Sequence, residues 1–98
     1  MQAVEVSNRV LEVTLSADFW HQHKTVLGEI GNWVKVRDGR KTATVRLDRE
    51  ALEELRFNAK RHTEFWFWDD NEPEVRRAGI AQAKRVLEAI ARAEKSAA

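Results

Sequence analysis

Residues 64–74 hold the most distinctive chemistry in the sequence, because four aromatic residues run directly into a cluster of acids. This stretch has five acidic residues and no basic one. Successive helical side chains point about 100° apart, so four neighbouring rings cannot all face one core, and one or two should be exposed. Exposed aromatics beside a charged rim are typical of protein interfaces, although a small domain also needs aromatics in its core. The interface candidates are Phe65, Trp66, Phe67, Trp68, Asp69 and Asp70.

A second set of residues, between positions 35 and 46, carries five basic side chains and one acid. The local charge is therefore +4, whereas the whole chain has a net charge of +1. A basic two-stranded ribbon with threonines can contact phosphates, and Trp33 can stack on a base. The same residue types are also ordinary on the solvated face of an antiparallel sheet. The nucleic-acid candidates are Trp33, Lys35, Arg37, Arg40, Lys41, Thr42, Thr44 and Arg46.

Part of this region resembles a known DNA-binding family. Residues 42–60, TATVRLDREALEELRFNAK, are similar to the strand and first helix of ribbon-helix-helix proteins, over about a fifth of the chain. The resemblance implies that Thr42, Thr44 and Arg46 would read the major groove from a ribbon made by two chains. The aromatic and acidic stretch at 65–74 stands where that family has a short turn between its helices.

Histidines and carboxylates form the third group. His21 and His23, together with Asp18, His62 and the acids at 69–72, have side chains that bind metals or exchange protons. On a helix, His21 and His23 point about 200° apart, so they do not form a site together. His62 lies on a stripe that is predicted to be buried. We therefore predict no metal site, no catalytic residue and no cofactor.

The strongest local signal for structure is the segment NWVKVRDGRKTATVRL, which predicts a β-hairpin. Asp38-Gly39 suits a type I′ turn, because both central positions of that turn need a positive φ. This turn pairs Arg37 with Arg40 and Trp33 with Thr44. It places one set of side chains on an inner face, namely Val34, Val36, Ala43, Val45 and Leu47. The outer set is Trp33, Lys35, Arg37, Thr42, Thr44 and Arg46.

The spacing of apolar residues predicts three helices. The first covers about 17–27, the second runs from the N-cap Asp48 to 66–68, and the third covers about 74–95 with Pro73 in its first turn. The first should bury Phe19, His23, Val26, Leu27 and Ile30. The second should bury Leu52, Leu55, Ala59, His62 and Trp66. The third should bury Val75, Gly79, Ala83, Val86, Leu87 and Ile90.

Residues 2–15 alternate between apolar and polar side chains and therefore look extended. A hairpin that turns at Ser7-Asn8 and a single bulged strand both fit this pattern. With the hairpin, the fold class is α+β: an antiparallel sheet of about four strands in two hairpins with three helices. The element order is then β-β-α-β-β-α-α, and residues 1–98 form a single domain.

Composition and missing motifs narrow the function. The chain has 98 residues and no cysteine, which fits a reducing interior, and we expect a cytoplasmic protein. No apolar run of about 18 residues is present, so we expect no membrane partner. The three serines lie outside any Gly-x-Ser-x-Gly motif, and the four glycines form no phosphate-binding loop, so we expect a protein that is not an enzyme.

These observations favour a non-enzymatic protein that acts through protein–protein contact, with 65–74 as its anchor. Self-association through that segment would give a homodimer. A small domain without a catalytic motif also fits a phage-type or accessory regulator that binds a host factor. The alternative function is nucleic-acid binding, either through the basic hairpin or in the manner of a ribbon-helix-helix protein.

Overall fold

The chain folds as an α+β domain in which three helices accompany an antiparallel sheet. The computed structural model describes residues 10–27 and 31–97. Its elements are β1 (Leu11–Ser16), α1 (Ala17–Leu27), β2 (Trp33–Asp38), β3 (Thr42–Leu47), α2 (Arg49–His62), a short 3₁₀ helix (Phe65–Trp68) and α3 (Pro73–Ala97). This order confirms the predicted helices and the second hairpin in outline.

The sheet has three strands among the described residues, instead of the four that were predicted. Its strand order is β1-β3-β2, and both pairs are antiparallel. Leu11–Ser16 forms one continuous strand. The additional strand predicted within residues 2–6, and the turn at Ser7-Asn8, lie outside the described residues. The central position of β3 places it between two partners in the same chain.

The hairpin formed by β2 and β3 has a different register from the predicted one. Trp33 pairs with Leu47 rather than with Thr44, which is a shift of three residues. Because strand side chains alternate with a period of two, an odd shift exchanges the faces of β2 relative to β3. Trp33 therefore packs against the core, whereas Val34 and Val36 are 62% and 40% exposed. The predicted faces of these three residues were wrong.

The turn of this hairpin also departs from the type I′ geometry. Asp38 pairs with Ala43, so the predicted pair of Arg37 with Arg40 does not form. Neither Asp38 nor Gly39 has a positive φ. A register shift between the pairs near the end of β2 marks a β-bulge, which inserts an extra residue and increases the local twist. The connection is therefore longer than two residues, and its basic side chains extend beyond the paired ladder.

All buried apolar side chains of the sheet lie on one face, where the helices cover them. Trp20 has no exposed surface and is the largest residue in this core, although the apolar spacing of α1 did not single it out. Its ring meets Trp33 edge-on, with centroids 5.0 Å apart. The core consists of Val13, Leu15, Phe19, Trp20, Ala43, Val45, Leu47, Ala51, Leu52, Leu55, Ala59, Ala83, Val86, Ala89 and Ile90.

The predicted helical stripes are confirmed in their central parts. His23 is buried and Leu87 is partly buried, as expected, while the side chains of Val26, Leu27 and Ile30 lie outside the described part. The ends of the stripes are wrong: Trp66 is 57% exposed and Val75 is 47% exposed. Helix α2 ends at His62, before the aromatic segment, which instead forms a separate 3₁₀ helix.

Gly31 and Asp48 join the start of β2 to the start of α2. Gly31 has a φ of 71°, and a Cβ atom there would overlap the backbone of Ala51. The Asp48 carboxylate accepts hydrogen bonds from the backbone of Ala51 at 2.9 Å and from the backbone of Asn32 at 2.9 Å. Burial acts to raise the pKa of Asp48, but the hydrogen bonds from Ala51 and Asn32 hold it below its ordinary value. The predicted N-cap is therefore confirmed, and it has a second partner.

Replacing this cap tests how much the junction contributes to stability. We expect Asp48→Ala to lower the free energy of unfolding by about 2 kcal/mol, because loss of an N-cap alone costs about 0.5–2 kcal/mol. Asp48→Asn should cost less, since asparagine also caps helices. Urea denaturation measures the free energy of unfolding of both variants. Equal stability of Asp48→Ala and the wild type would show that the junction is unimportant.

Candidate interaction surface

The four aromatics of the 3₁₀ helix divide into two pairs, as the sequence predicted for a run of this kind. Phe65 is 61% exposed and Trp66 is 57% exposed. Phe67 and Trp68 are half-buried, and both lie against the ring of His62 at centroid distances of 4.2 and 5.8 Å. Phe65 and Trp66 therefore form part of the surface, whereas Phe67 and Trp68 pack against the rest of the domain.

Trp68 fixes the 3₁₀ helix to both neighbouring helices. Its indole Nε1 donates a hydrogen bond to the backbone oxygen of His62 at 2.7 Å, which satisfies a carbonyl in the last turn of α2. On the other side the ring lies directly over Gly79 of α3, where a Cβ atom would overlap it. Gly79 is therefore required by this close approach, and Trp68 has a structural role.

The exposed rings continue onto α2. Phe57 is 55% exposed, and the Arg61 guanidinium lies 5.8 Å from the ring centroids of both Phe57 and Phe67. The guanidinium of Arg76 lies 4.3 Å from the centroid of Phe65. Arginine planes over aromatic faces add cation–π attraction and hold the rings in place. We call this surface the aromatic patch, and it consists of Phe57, Arg61, Phe65, Trp66, Phe67 and Arg76.

Phe57 and Arg61 were missed by the sequence analysis. The signal that could have found Phe57 is its place outside the buried stripe of α2, because a phenylalanine on the solvent side of a helix needs a reason. Arg61 lies four residues after Phe57, so both are on the same side of the helix. Asp69 and Asp70, which were among the interface candidates, are exposed directly after the 3₁₀ helix.

A cavity of about 430 Å³ opens beside the aromatic patch, between α1 and α2. Arg61 and Phe67 belong to both features, so the cavity is continuous with the patch. Its size is within the range of a side chain or a small ligand. The lining residues are Phe19, Gln22, His23, Glu54, Asn58, Arg61, His62 and Phe67.

Two histidines meet Asn58 in the wall of this cavity. The Asn58 amide donates to Nδ1 of His23 at 2.9 Å, so the proton of the neutral His23 ring lies on Nε2. Nδ1 of His62 donates to the backbone oxygen of Asn58 at 2.6 Å. His23 Nε2 is buried and has no hydrogen-bond partner among the described residues. Burial, and secondarily the charge of His62, lower the pKa of His23 from 6.5 to about 4, so this ring is neutral at pH 7.

The sequence placed His21 and His23 on opposite sides of one helix, and the structure agrees, since His21 is exposed and His23 is buried. The meeting of His23 with His62 depends on helix packing between distant segments, and local spacing contains no signal for it. Nowhere in the described chain do three or more histidine, aspartate or glutamate side chains come together so as to hold a metal ion.

Only some of the basic residues predicted for the hairpin surface lie together on its outer face. Trp33 faces the core, and the register places Lys35 on the core side of β2, opposite Val45, where it forms an ion pair with Asp38 at 3.0 Å. Arg46 does lie on the outer face, but Glu12 neutralises it at 2.8 Å.

The remaining candidates on the outer face contact one another. Thr44 is 4% exposed, and its hydroxyl shares a hydrogen bond of 2.8 Å with Thr14. Arg37 approaches Thr44 at 3.5 Å. The ladder is therefore occupied by intramolecular contacts, while Arg40, Lys41 and Thr42 belong to its connecting turn and the start of β3.

The ribbon expected from the ribbon-helix-helix resemblance lacks a free edge. β3 pairs with β1 on one side and with β2 on the other. A two-chain ribbon would need one of these edges, so Thr42, Thr44 and Arg46 have no route to that arrangement in this fold. The helix that follows β3 does begin at Arg49, as the resemblance implied.

Comparison with protein-family models, with curated proteins and with solved structures finds no match for this chain. Within residues 10–27 and 31–97, every helix is too short or too polar to span a membrane.

The buried His23 should make stability depend on pH. Because the folded state lowers the pKa of His23 from 6.5 to about 4, the unfolded chain binds more protons between these values, and stability falls as the pH falls through this window. We expect His23→Gln to lose this component, and the matched variant His21→Gln, at an exposed site, to retain it. Thermal unfolding as a function of pH measures both, and an unchanged profile in His23→Gln would contradict the assignment.

Gly79→Ala tests the role of Trp68. Alanine normally stabilises a helix relative to glycine by about 1 kcal/mol, but here we expect Gly79→Ala to destabilise the protein, because its Cβ would overlap the Trp68 ring. In a Trp68→Ala background the same change should become stabilising. Urea denaturation of the two single variants and the double variant measures this change of sign, and a stabilising effect in both backgrounds would refute the contact.

Proposed function

We propose that this protein is a non-enzymatic module that binds another protein through the aromatic patch. The observation that carries the proposal is the exposure of three large rings, since Phe57, Phe65 and Trp66 each leave more than half of their surface in water. Burying a phenylalanine side chain contributes about 1.5–3 kcal/mol. A partner that covers these rings would therefore obtain much of the binding free energy of a stable complex from a few residues.

The make-up of the patch also supports protein binding. Tryptophan and arginine are enriched among the residues that dominate the energy of interfaces. Arg61 and Arg76 lie over aromatic rings, so their guanidinium groups are already positioned before a partner arrives. The adjoining cavity of about 430 Å³ offers a site for one inserted side chain. Little ordering is needed on binding, which favours affinity.

A second copy of the chain is the partner that fits this surface best. The patch carries Arg61 and Arg76, and the exposed acids Asp69 and Asp70 follow directly after it. In a two-fold dimer each contact occurs twice, so an acid of one copy can meet an arginine of the other. A surface that carries positive and negative side chains beside apolar rings can therefore be complementary to the same surface of a second copy.

The exposed aromatic patch also fits an accessory role, in which it binds a host factor, as in a phage-type regulator. The aromatic patch would then serve as the anchor for a different protein. A cytoplasmic location stays a prediction from the cysteine-free composition.

Sedimentation at increasing protein concentration tests the homodimer. We expect Trp66→Ala to weaken dimerisation by about 30-fold or more, because central aromatic residues of interfaces contribute about 2 kcal/mol or more. The variant should stay folded, since the Trp66 ring is largely in water. Val34→Ala, which removes part of a 62% exposed side chain outside the patch, is the matched control and should dimerise normally.

Two results would contradict the proposal. A wild type that is monomeric at about 1 mM, where association is worth only about 4 kcal/mol, excludes the homodimer. Unchanged dimerisation of Trp66→Ala excludes the patch as its interface. Salt should weaken the dimer only modestly, because the apolar rings supply most of the contact and salt screens only the pairs of arginine with aspartate.

A further inference from the structure

A groove of about 620 Å³ runs between β1, the turn that joins β2 to β3, and α3. Four basic side chains line it, and we call it the basic groove. Among the described residues that line it, Asp18 is the only acid. The four cations come from two distant parts of the sequence: Arg40, Lys41, Arg85 and Arg92.

These four cations differ from the other basic residues of the neighbouring strands. Lys35 and Arg46 are neutralised by ion pairs with acids. Across residues 10–27 and 31–97, none of the four groove side chains makes an ion pair or a hydrogen bond. Four positive charges gathered in one groove exceed the single negative charge of Asp18 and repel one another, so their juxtaposition favours an anionic ligand.

The spacing of the cations fits a chain of phosphates better than a single one. Arg85 and Arg92 are seven residues apart on α3, so they lie on the same side of the helix and about 10 Å apart along its axis. Arg40 and Lys41 approach the same groove from the hairpin turn. The charges are therefore distributed along the groove.

The other lining groups are polar or aliphatic. Thr14, Ser16 and Thr42 are among the described residues that line the groove, and none of the described lining residues is aromatic. Proteins that hold single strands rely on aromatic rings for stacking bases. Phosphates of a duplex, in contrast, are bound by arginine, lysine and threonine without any ring.

We propose that the basic groove binds the phosphate backbone of double-stranded nucleic acid without reading its base sequence. Arg40 and Lys41 contact phosphates from the turn, and Arg85 and Arg92 contact them from α3. This surface differs from the outer hairpin face that the sequence favoured, because its four cations come from the hairpin turn and from α3, and none of them is paired in the sheet. It does not depend on the aromatic patch.

The probe for this proposal is a labelled DNA duplex of about 20 base pairs, which exceeds the length of a single contact site. Fluorescence anisotropy measures its affinity for the full chain at several salt concentrations. Four phosphate contacts predict a slope near −3.6 in log affinity against log salt, which is a loss of about 150-fold between 50 and 200 mM.

Two matched double variants distinguish binding in the groove from a general effect of the protein's positive charge. Arg85→Gln with Arg92→Gln should reduce the slope by about 2 and weaken binding at low salt by at least about 10-fold. Arg77→Gln with Lys84→Gln removes the same charge from the same helix outside the groove, and the slope should stay unchanged. Asp18→Asn should strengthen binding, because it removes the acid from the groove. Urea denaturation confirms that each variant is folded.

Several outcomes would overturn the proposal. These are a flat salt dependence, equal losses in the two double variants, or equal affinity for a single strand of the same length. A doubly phosphorylated peptide that binds more tightly than the duplex, and displaces it, would assign the groove to phosphoproteins instead.

Discussion

The edge-on contact between Trp20 and Trp33, with ring centroids 5.0 Å apart, determines much of what this fold presents to its surroundings. Trp20 is fully buried, and it can meet Trp33 only if that residue occupies the core face of β2. This condition selects the pairing of Trp33 with Leu47 and displaces the turn favoured by Asp38-Gly39. Burial of a large ring is worth more than a turn preference. The position of the basic side chains in the hairpin is therefore a consequence of the core.

His62 has the corresponding role at the other end of α2. Its ring contacts Phe19 of the core at 5.4 Å, and also Phe67 and Trp68 of the 3₁₀ helix. Half of the aromatic segment is thereby used to close the domain, and Phe65 and Trp66 are left outside. A ring that bridges core and surface in this way holds Phe67 of the aromatic patch against the domain, which lowers the entropy that this side chain loses on binding.

Local signals predicted what local forces determine. The N-cap at Asp48 and the extents of α1 and α3 follow from side-chain and backbone interactions within a few residues, and the sequence analysis found them. The register of the hairpin and the burial of Trp20 depend on contacts between distant segments, so a turn motif pointed to the wrong pairing. The same limit applies to His23 and His62, because their meeting at Asn58 depends on the packing of α1 against α2. The division of the aromatic run was predictable as a principle, but which rings face outward depends on Gly79 in another helix.

Helix α3 shows how one element can serve several surfaces without conflict. Gly79 leaves room for the ring of Trp68, which lies next to the aromatic patch. Val86 and Ile90 fill the core. Arg85 and Arg92 lie on a different side of the same helix and line the basic groove. Because a helix repeats every 3.6 residues, Gly79, Val86 and Ile90 lie along one stripe of α3, which faces Trp68 and the core. Arg85 and Arg92 lie along another stripe, so a substitution in the groove leaves the contact between Gly79 and Trp68 in place. The patch and the groove are thus built on one rigid support, which lets each be altered while the other keeps its geometry.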